Sequence, residues 1–145
     1  MLQWDYPQGY CIELKVGAAD IDGLEHTNNA VYVKWCERVA WAHSVSLGLD
    51  LDCYRELDRA MAITRSEFDY LAASRLGDEL VAATWIVDWD GKLTMHRHFQ
   101  IIRPADGLTL LRGKMKFACI EISSGKPRRL PPAFIEGYGA VVMQP

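Results

Sequence analysis

From Cys11 to Ala19 the chain alternates, with Ile12, Leu14, Val16 and Ala18 on one side and Glu13 and Lys15 on the other. A period of two is that of a strand with one buried face. Beyond the polar stretch Ala19–Asn28 the period changes. Val31, Tyr32, Trp35, Cys36, Val39, Ala42 and Ser46 fall on one stripe at helical spacing, which predicts a helix from about Asn29 to Leu47. Asn28 or Asn29 suits its N-cap, because an Asn side chain accepts from the free amides of the first turn. Gly48 suits its C-terminal stop. A shorter helix is expected over Asp50–Ala60. Period-two runs then predict strands at Ala62–Leu71, Glu79–Trp89, Leu93–Arg103 and Leu108–Ile122. Asp90-Gly91 marks a hairpin turn between the second and third of these, and Asp106-Gly107 marks another turn after the third. A final helix is expected over Pro132–Val142.

One long helix followed by a meander of long strands reads as α+β with an antiparallel sheet. The run Leu80–Val87 is apolar on both faces, so both need cover. One helix covers only one face, and a second subunit is the natural cover for the other, which predicts at least a dimer.

Composition narrows the class. The 145 residues suit a single domain over 1–145. Half are hydrophobic and 24% are charged, with 5 Trp, 6 Tyr and 4 Phe, which excludes disorder. A net charge of −3 gives no broad footprint for nucleic acid. The opening Met1–Gln8 lacks the basic and apolar regions of a signal peptide, and no apolar run is long enough to span a bilayer. Cys11, Cys36, Cys53 and Cys119 are scattered without metal-ligand spacing. They read as reduced, mostly buried thiols of a cytoplasmic protein.

The segment Asp20-Ile21-Asp22-Gly23-Leu24-Glu25-His26-Thr27-Asn28-Asn29-Ala30-Val31-Tyr32 concentrates the chemistry. It lies between the first strand and the long helix. A helix N-terminus presents free N–H groups and partial positive charge. A carboxylate just upstream suits acyl transfer: the amides stabilise an oxyanion while the carboxylate attacks or activates water. Capping by Asp22 and the asparagines accounts for the same spacing more simply.

The segment resembles the active-site loop of hotdog-fold acyl-CoA thioesterases, in particular the 4-hydroxybenzoyl-CoA thioesterase-like branch. That branch runs D-x-D-x-x-G-H-x-N-N-x-x-Y, matched here by Asp20, Asp22, His26, Asn28, Asn29 and Tyr32. Phe68-Asp69-Tyr70-Leu71, Arg75-Leu76-Gly77-Asp78-Glu79-Leu80 and Gly125–Pro131 also resemble family segments, in the right order. The resemblance implies a hotdog fold, an antiparallel five- or six-stranded sheet wrapped around one long central helix. It implies hydrolysis of an acyl-CoA at a site on a subunit interface, in a dimer or tetramer. Asp22 falls on the catalytic carboxylate and the Asn29 amide on the oxyanion donor. His26 and Asn28 are counted with the catalytic set: His26 orients the loop or contacts the thioester, with a structural histidine bonded to loop backbone an equal account, and Asn28 orients water or bonds the carboxylate, which capping explains as well. Coenzyme A enters as part of the substrate, and no metal or other cofactor is implied. One position departs: Glu25 stands where the family usually has Gly, which makes it a rival carboxylate and puts the loop path in question.

Other candidates are weaker. Tyr32, one turn into the helix, reads as core or interface and is counted with the substrate-binding set. Arg112, Lys114 and Lys116 alternate on one strand face and suit coenzyme A phosphates, as a solvated face also would. Arg103, Arg128 and Arg129 are further cations. Arg65, Glu67 and Asp69 share a polar strand face. Glu67 joins the substrate-binding set and stands as the reserve acid, although pairing with Arg65 is the simpler account. His96 and His98 share a strand face but have no third metal ligand at a suggestive spacing. Two other functions stay open: an acyl-thioester hydratase or dehydratase on the same fold, and a non-catalytic acyl-CoA-binding module.

Overall fold

The computed structural model describes residues 1–143. In chain order it has β1 (Tyr10–Lys15), a 3₁₀ turn (Ala18–Asp20), α1 (Asn29–Ser46), α2 (Leu51–Leu57), β2 (Arg59–Tyr70), β3 (Glu79–Trp89), β4 (Thr94–Arg103), β5 (Leu108–Glu121) and α3 (Pro132–Gly139). The five strands form one antiparallel sheet in the order β1-β3-β4-β5-β2. β1 runs antiparallel to β3, in a register from Tyr10 opposite Thr84 to Lys15 opposite Glu79. The class is α+β, as the alternation and the long helical stripe predict.

Two turns show why the strands end where they do. Gly91 adopts φ 70°, which a Cβ would resist, and the Asp90 carboxylate accepts from the amides of Lys92 and Leu93, both at 2.8 Å. Gly107 repeats the left-handed conformation at φ 70°. In β5, Gly113 is required by a neighbour: a Cβ there would lie 2.8 Å from the Phe68 ring.

Packing divides into two compact units. One comprises residues 1–40, 68–84 and 99–113. Its core is built on Leu14, Tyr32, Trp35, Val39, Leu80 and Ile101, all at most 6% exposed. Burying each large apolar side chain of this kind stabilises the fold by roughly 1.5–3 kcal/mol. Here the N-terminal segment docks on the sheet. Asp5 donates its amide to Gln100 Oε1 at 2.8 Å, and Arg112 grips the Asp5 carboxylate with two hydrogen bonds, at 2.7 and 2.9 Å. Gln100 also donates to the Gln3 carbonyl and to Thr109 Oγ1.

The second unit comprises residues 41–67, 85–98 and the chain from Lys114 onward. Phe134, Tyr138, Ile86 and Met95 are buried there, beside buried Arg97, His43 and Ser44. Phe134 packs against Tyr54 with the rings tilted at 42° and centroids 4.9 Å apart. Ser44 Oγ lies 2.8 Å from Tyr138 Oη, which also bonds the Tyr54 hydroxyl. The Arg97 guanidinium lies 5.9 Å from the Tyr138 ring centroid and donates to His43 Nδ1 at 3.0 Å. α3 stops at Gly139, earlier than expected, because the chain beyond it turns to β3: Met143 donates to the Ile86 carbonyl at 2.7 Å.

Several boundaries differ from the sequence expectation. β1 ends at Lys15 because the Asp20 carboxylate accepts from the Gly17 amide at 2.8 Å and closes the 3₁₀ turn. α2 ends at Leu57 because Asp58 takes the left-handed conformation as its C-cap, and β2 then starts at Arg59. The buried stripe of α1 swings to His43 and Ser44 at its far end and leaves Ser46 exposed. Residues 82–86 of β3 are buried within a single chain, so cover expected from a second subunit is supplied here by the chain itself. Two of the four thiols are buried, Cys36 and Cys119. Cys11 is exposed, Cys53 is half-exposed, and all four are unbridged.

Candidate active site

The loop between β1 and α1 is a small closed structure. Ile21 and Thr27 form an antiparallel bridge. Inside it the Asp22 amide donates to the His26 carbonyl at 2.8 Å, and the Glu25 amide donates to the Asp22 carbonyl at 3.1 Å. Asp22, half-buried, sits at the head of this turn. Its Oδ1 accepts from the amides of Leu24, at 2.9 Å, and His26, at 3.2 Å. Among the described residues the second carboxylate oxygen accepts no hydrogen bond.

The asparagines divide their work. Asn28 Oδ1 accepts from the Ala30 amide at 2.9 Å and caps α1. Asn29 is exposed and is the first residue of the helix. Its amide belongs to the first turn, where helical geometry provides no intrahelical acceptor. Asp20 has a structural task, since its carboxylate holds Gly17 and its carbonyl accepts from the Asn28 amide at 2.8 Å. Asp22 therefore closes the turn rather than capping the helix, and the cap is Asn28.

Glu25 explains its own oddity. It adopts φ 64°, the left-handed conformation at the end of a short turn that glycine occupies without strain. Its exposed side chain leaves the backbone to carry the cost. Glu25→Gly is expected to leave stability unchanged or raise it by up to about 1 kcal/mol, since relief of left-handed strain is partly offset by glycine's greater chain entropy. Chemical denaturation measures this. A clear loss of stability would mean that the Glu25 side chain supports the loop.

One residue that sequence reasoning missed holds the loop from outside. Ser74, in the β2–β3 connection, is fully buried. Its Oγ lies 2.6 Å from Thr27 Oγ1 and 2.7 Å from Tyr32 Oη. Tyr32 is itself 2% exposed and packs edge-on against Trp35 at 5.3 Å. No local signal marks Ser74, because its partners lie more than forty positions away.

The remaining candidates fall elsewhere. Arg112, Lys114 and Lys116 are exposed and alternate with buried Gly113, Met115 and Phe117, as their spacing predicts. Arg112 is engaged by Asp5. Arg103 is engaged by Asp106 and Asp78, at 2.8 and 3.1 Å. Arg128 lies 3.5 Å from Glu121. Glu67 accepts from Arg65, whose guanidinium holds its carboxyl below the usual range. His96 Nδ1 lies 3.9 Å from Asp88. Among the described residues no three His, Cys, Asp or Glu side chains are grouped to hold a metal ion, and no helix is long and apolar enough to cross a membrane.

The chain is 30% identical over 88 residues to the Danio rerio protein THEM6, covering 61% of this chain and 43% of that protein. It is 28% identical over 88 residues to an acyl-acyl carrier protein thioesterase of Arabidopsis thaliana chloroplasts, covering 61% of this chain and 46% of the relative. The chain thus spans less than half the length of these curated relatives. Among solved structures, a 1,4-dihydroxy-2-naphthoyl-CoA thioesterase from Synechocystis superposes with a TM-score of 0.81 at 20% identity, over 90% of this chain and 95% of that one. A Staphylococcus aureus protein solved in complex with CoA gives a TM-score of 0.86 at 20% identity, over 100% and 92%. These likenesses are of fold, the hotdog architecture. The family profile of the Thioesterase-like superfamily matches residues 16–137, from the end of β1 into α3 and across the whole Asp22–Asn29 loop, and the chain belongs to that superfamily.

Proposed function

We propose that this protein is an acyl-CoA thioesterase that cleaves its substrate to a free acid and coenzyme A. The observation that carries the reading is the pairing, in one short loop, of a half-buried Asp22 carboxylate, only one oxygen of which accepts hydrogen bonds among the described residues, and the start of a long helix at Asn29. The thioester carbonyl is directed at the Asn29 amide, where the helix end stabilises developing negative charge. Asp22 then acts in one of two ways. As a nucleophile it adds to the carbonyl carbon, the C–S bond breaks, the coenzyme A thiolate leaves, and water cleaves the resulting mixed anhydride. As a general base it takes a proton from the water that adds instead.

His26 and Asn28 shape the loop around the thioester in this reading. Tyr32 backs the helix start, and Glu67 stays the reserve acid. Lys114 and Lys116 supply positive charge for the coenzyme A phosphates, and Arg112 joins them only by giving up Asp5. The reaction asks for no metal and no cofactor beyond the substrate's own coenzyme A. A cytoplasmic setting goes with an acyl-CoA substrate.

Self-association fits the sheet edge. β2 is an outermost strand, exposed at Ile63 and Tyr70 as well as at polar Arg65, Glu67 and Asp69. An outermost strand leaves backbone N–H and C=O groups that a second copy can pair with, giving a dimer or a tetramer built from dimers.

The test is thiol release from a panel of short-chain, long-chain and aromatic acyl-CoAs and an acyl carrier protein thioester, with an enoyl-CoA assayed for hydration. Turnover of a saturated acyl thioester with release of free thiol is expected. Hydration of the enoyl-CoA without thiol release would point to the hydratase. Tight binding without either reaction would point to an acyl-CoA-binding module.

A further inference from the structure

Ser74 joins the two sides of the helix start. Its carbonyl accepts from the Thr27 amide at 2.9 Å, and its hydroxyl meets Thr27 Oγ1 and Tyr32 Oη at 2.6 and 2.7 Å. Thr27 immediately precedes the cap at Asn28, and Tyr32 lies one turn into α1. All three side chains are at most 4% exposed, so their hydroxyls have one another as partners and little water to exchange with.

The connection that carries Ser74 is itself held from three directions. Arg103 donates to the Ala73 carbonyl and to Asp78 Oδ2, both at 3.1 Å. The Asp78 carboxylate accepts from the Arg75 amide at 3.0 Å. Gly77 and Asp78 exchange backbone hydrogen bonds with Val16 at the end of β1, both at 2.9 Å. Ser74 is thus a fixed post, and Thr27 and Tyr32 are tied to it from either side of Asn28 and Asn29.

We infer that Ser74 is a positioning residue for thioester hydrolysis: through Thr27 and Tyr32 it sets the direction of the Asn29 amide relative to Asp22. This rests on the function proposed above. Ser74 is buried behind the loop and acts through its neighbours, so it bears on kcat and leaves ground-state binding alone. A small misdirection of an oxyanion donor is costly because stabilisation depends on where the charge develops.

The experiment measures kcat and KM for wild type, Ser74→Ala, Thr27→Val and the double variant, using the best thioester of the panel. Amide hydrogen exchange across residues 27–31 is followed in the same proteins. Ser74→Ala is expected to lower kcat about tenfold with KM within about twofold, and to speed exchange at Asn28 and Asn29. Thr27→Val is expected to act in the same direction and to add little on the Ser74→Ala background, since the two share one network. Thr27→Ser, which keeps the hydroxyl, is expected to restore the rate that Thr27→Val loses. Unchanged kcat in folded Ser74→Ala overturns the inference, as does a rise in KM alone or a loss that only follows the folded fraction. A wild type without turnover overturns the functional reading instead, and Ser74 is then judged by exchange: unchanged protection at residues 27–31 overturns its role.

Discussion

Asp22→Asn is expected to lower kcat for thioester hydrolysis by roughly a hundredfold or more while leaving the fold intact, which corresponds to about 2.7 kcal/mol or more of transition-state stabilisation. The substitution is unusually clean here. The Asp22 carboxylate accepts from the Leu24 and His26 amides through Oδ1, and the amide oxygen of an asparagine accepts from the same two donors. The turn therefore persists. What is lost is the anionic charge and the second oxygen, the parts that attack a carbonyl or take a proton from water. A folded variant with wild-type turnover would reduce Asp22 to a turn-closing residue. Glu25 or Glu67 would then be the acid to test, although Glu67 is already occupied by Arg65. Single turnover in ¹⁸O-labelled water tests the nucleophilic role: label in the Asp22 carboxylate arises only when water attacks the Asp22 carbonyl of a mixed anhydride, whereas general-base hydrolysis and attack at the substrate's acyl carbon both put the label in the product acid.

Acid should weaken the fold well before the surface carboxylates titrate. His43 is buried, and burial, followed by the positive charge of Arg97, pushes its ring down to about 4 from its usual value near 6.5. The geometry states the same preference: Arg97 can only donate, so His43 Nδ1 must carry a lone pair and the ring hydrogen sits on Nε2. Above pH 6.5 the ring is neutral in both folded and unfolded chains, and its contribution to stability is fully present. As pH falls below 6.5 the unfolded chain takes up a proton that the folded chain refuses, and stability declines until about pH 4. The expected loss across that window is on the order of 2 kcal/mol from this residue. Denaturant titrations from pH 7 to pH 4 measure it, with His43→Gln as the reference. The variant should show a shallower decline, and identical declines would mean that His43 does not govern acid sensitivity.

These two residues differ in how far the sequence reveals them. Asp22 and the start of α1 are legible because capping and turn chemistry are local: Asn28, Asn29 and the stripe from Tyr32 to Val39 mark the helix start within a residue. β3 at Glu79–Trp89 is legible for a similar reason, since a Gly-Asp turn opens it and Asp90-Gly91 closes it. Arg97 is not. It sits in a strand beside His96 and His98, whose shared face suggests exposed polar chemistry, yet Arg97 points to the opposite face and is 1% exposed. Its acceptance there depends on His43, Tyr54 and Tyr138, from three different helices. Ser74 is hidden for the same reason, because a buried hydroxyl has meaning only through partners distant in the chain. Glu25 is half legible: the motif marks a glycine position, and only the backbone shows that Glu takes the glycine conformation.

The strand order has a consequence for how the Asp22–Asn29 loop comes into being. β3, β4 and β5 are neighbours in sequence as well as in the sheet, so tight turns at Asp90-Gly91 and Asp106-Gly107 let them zip together early, at small cost in loop closure. β1 must travel from the far end of the chain to set Lys15 opposite Glu79, a non-local pairing of the kind that slows folding. The loop bearing Asp22 hangs directly from that late strand. The meander can thus be fully native while the loop that carries Asp22 is still unmade, and recovery of thioesterase activity after refolding is expected to trail recovery of the sheet.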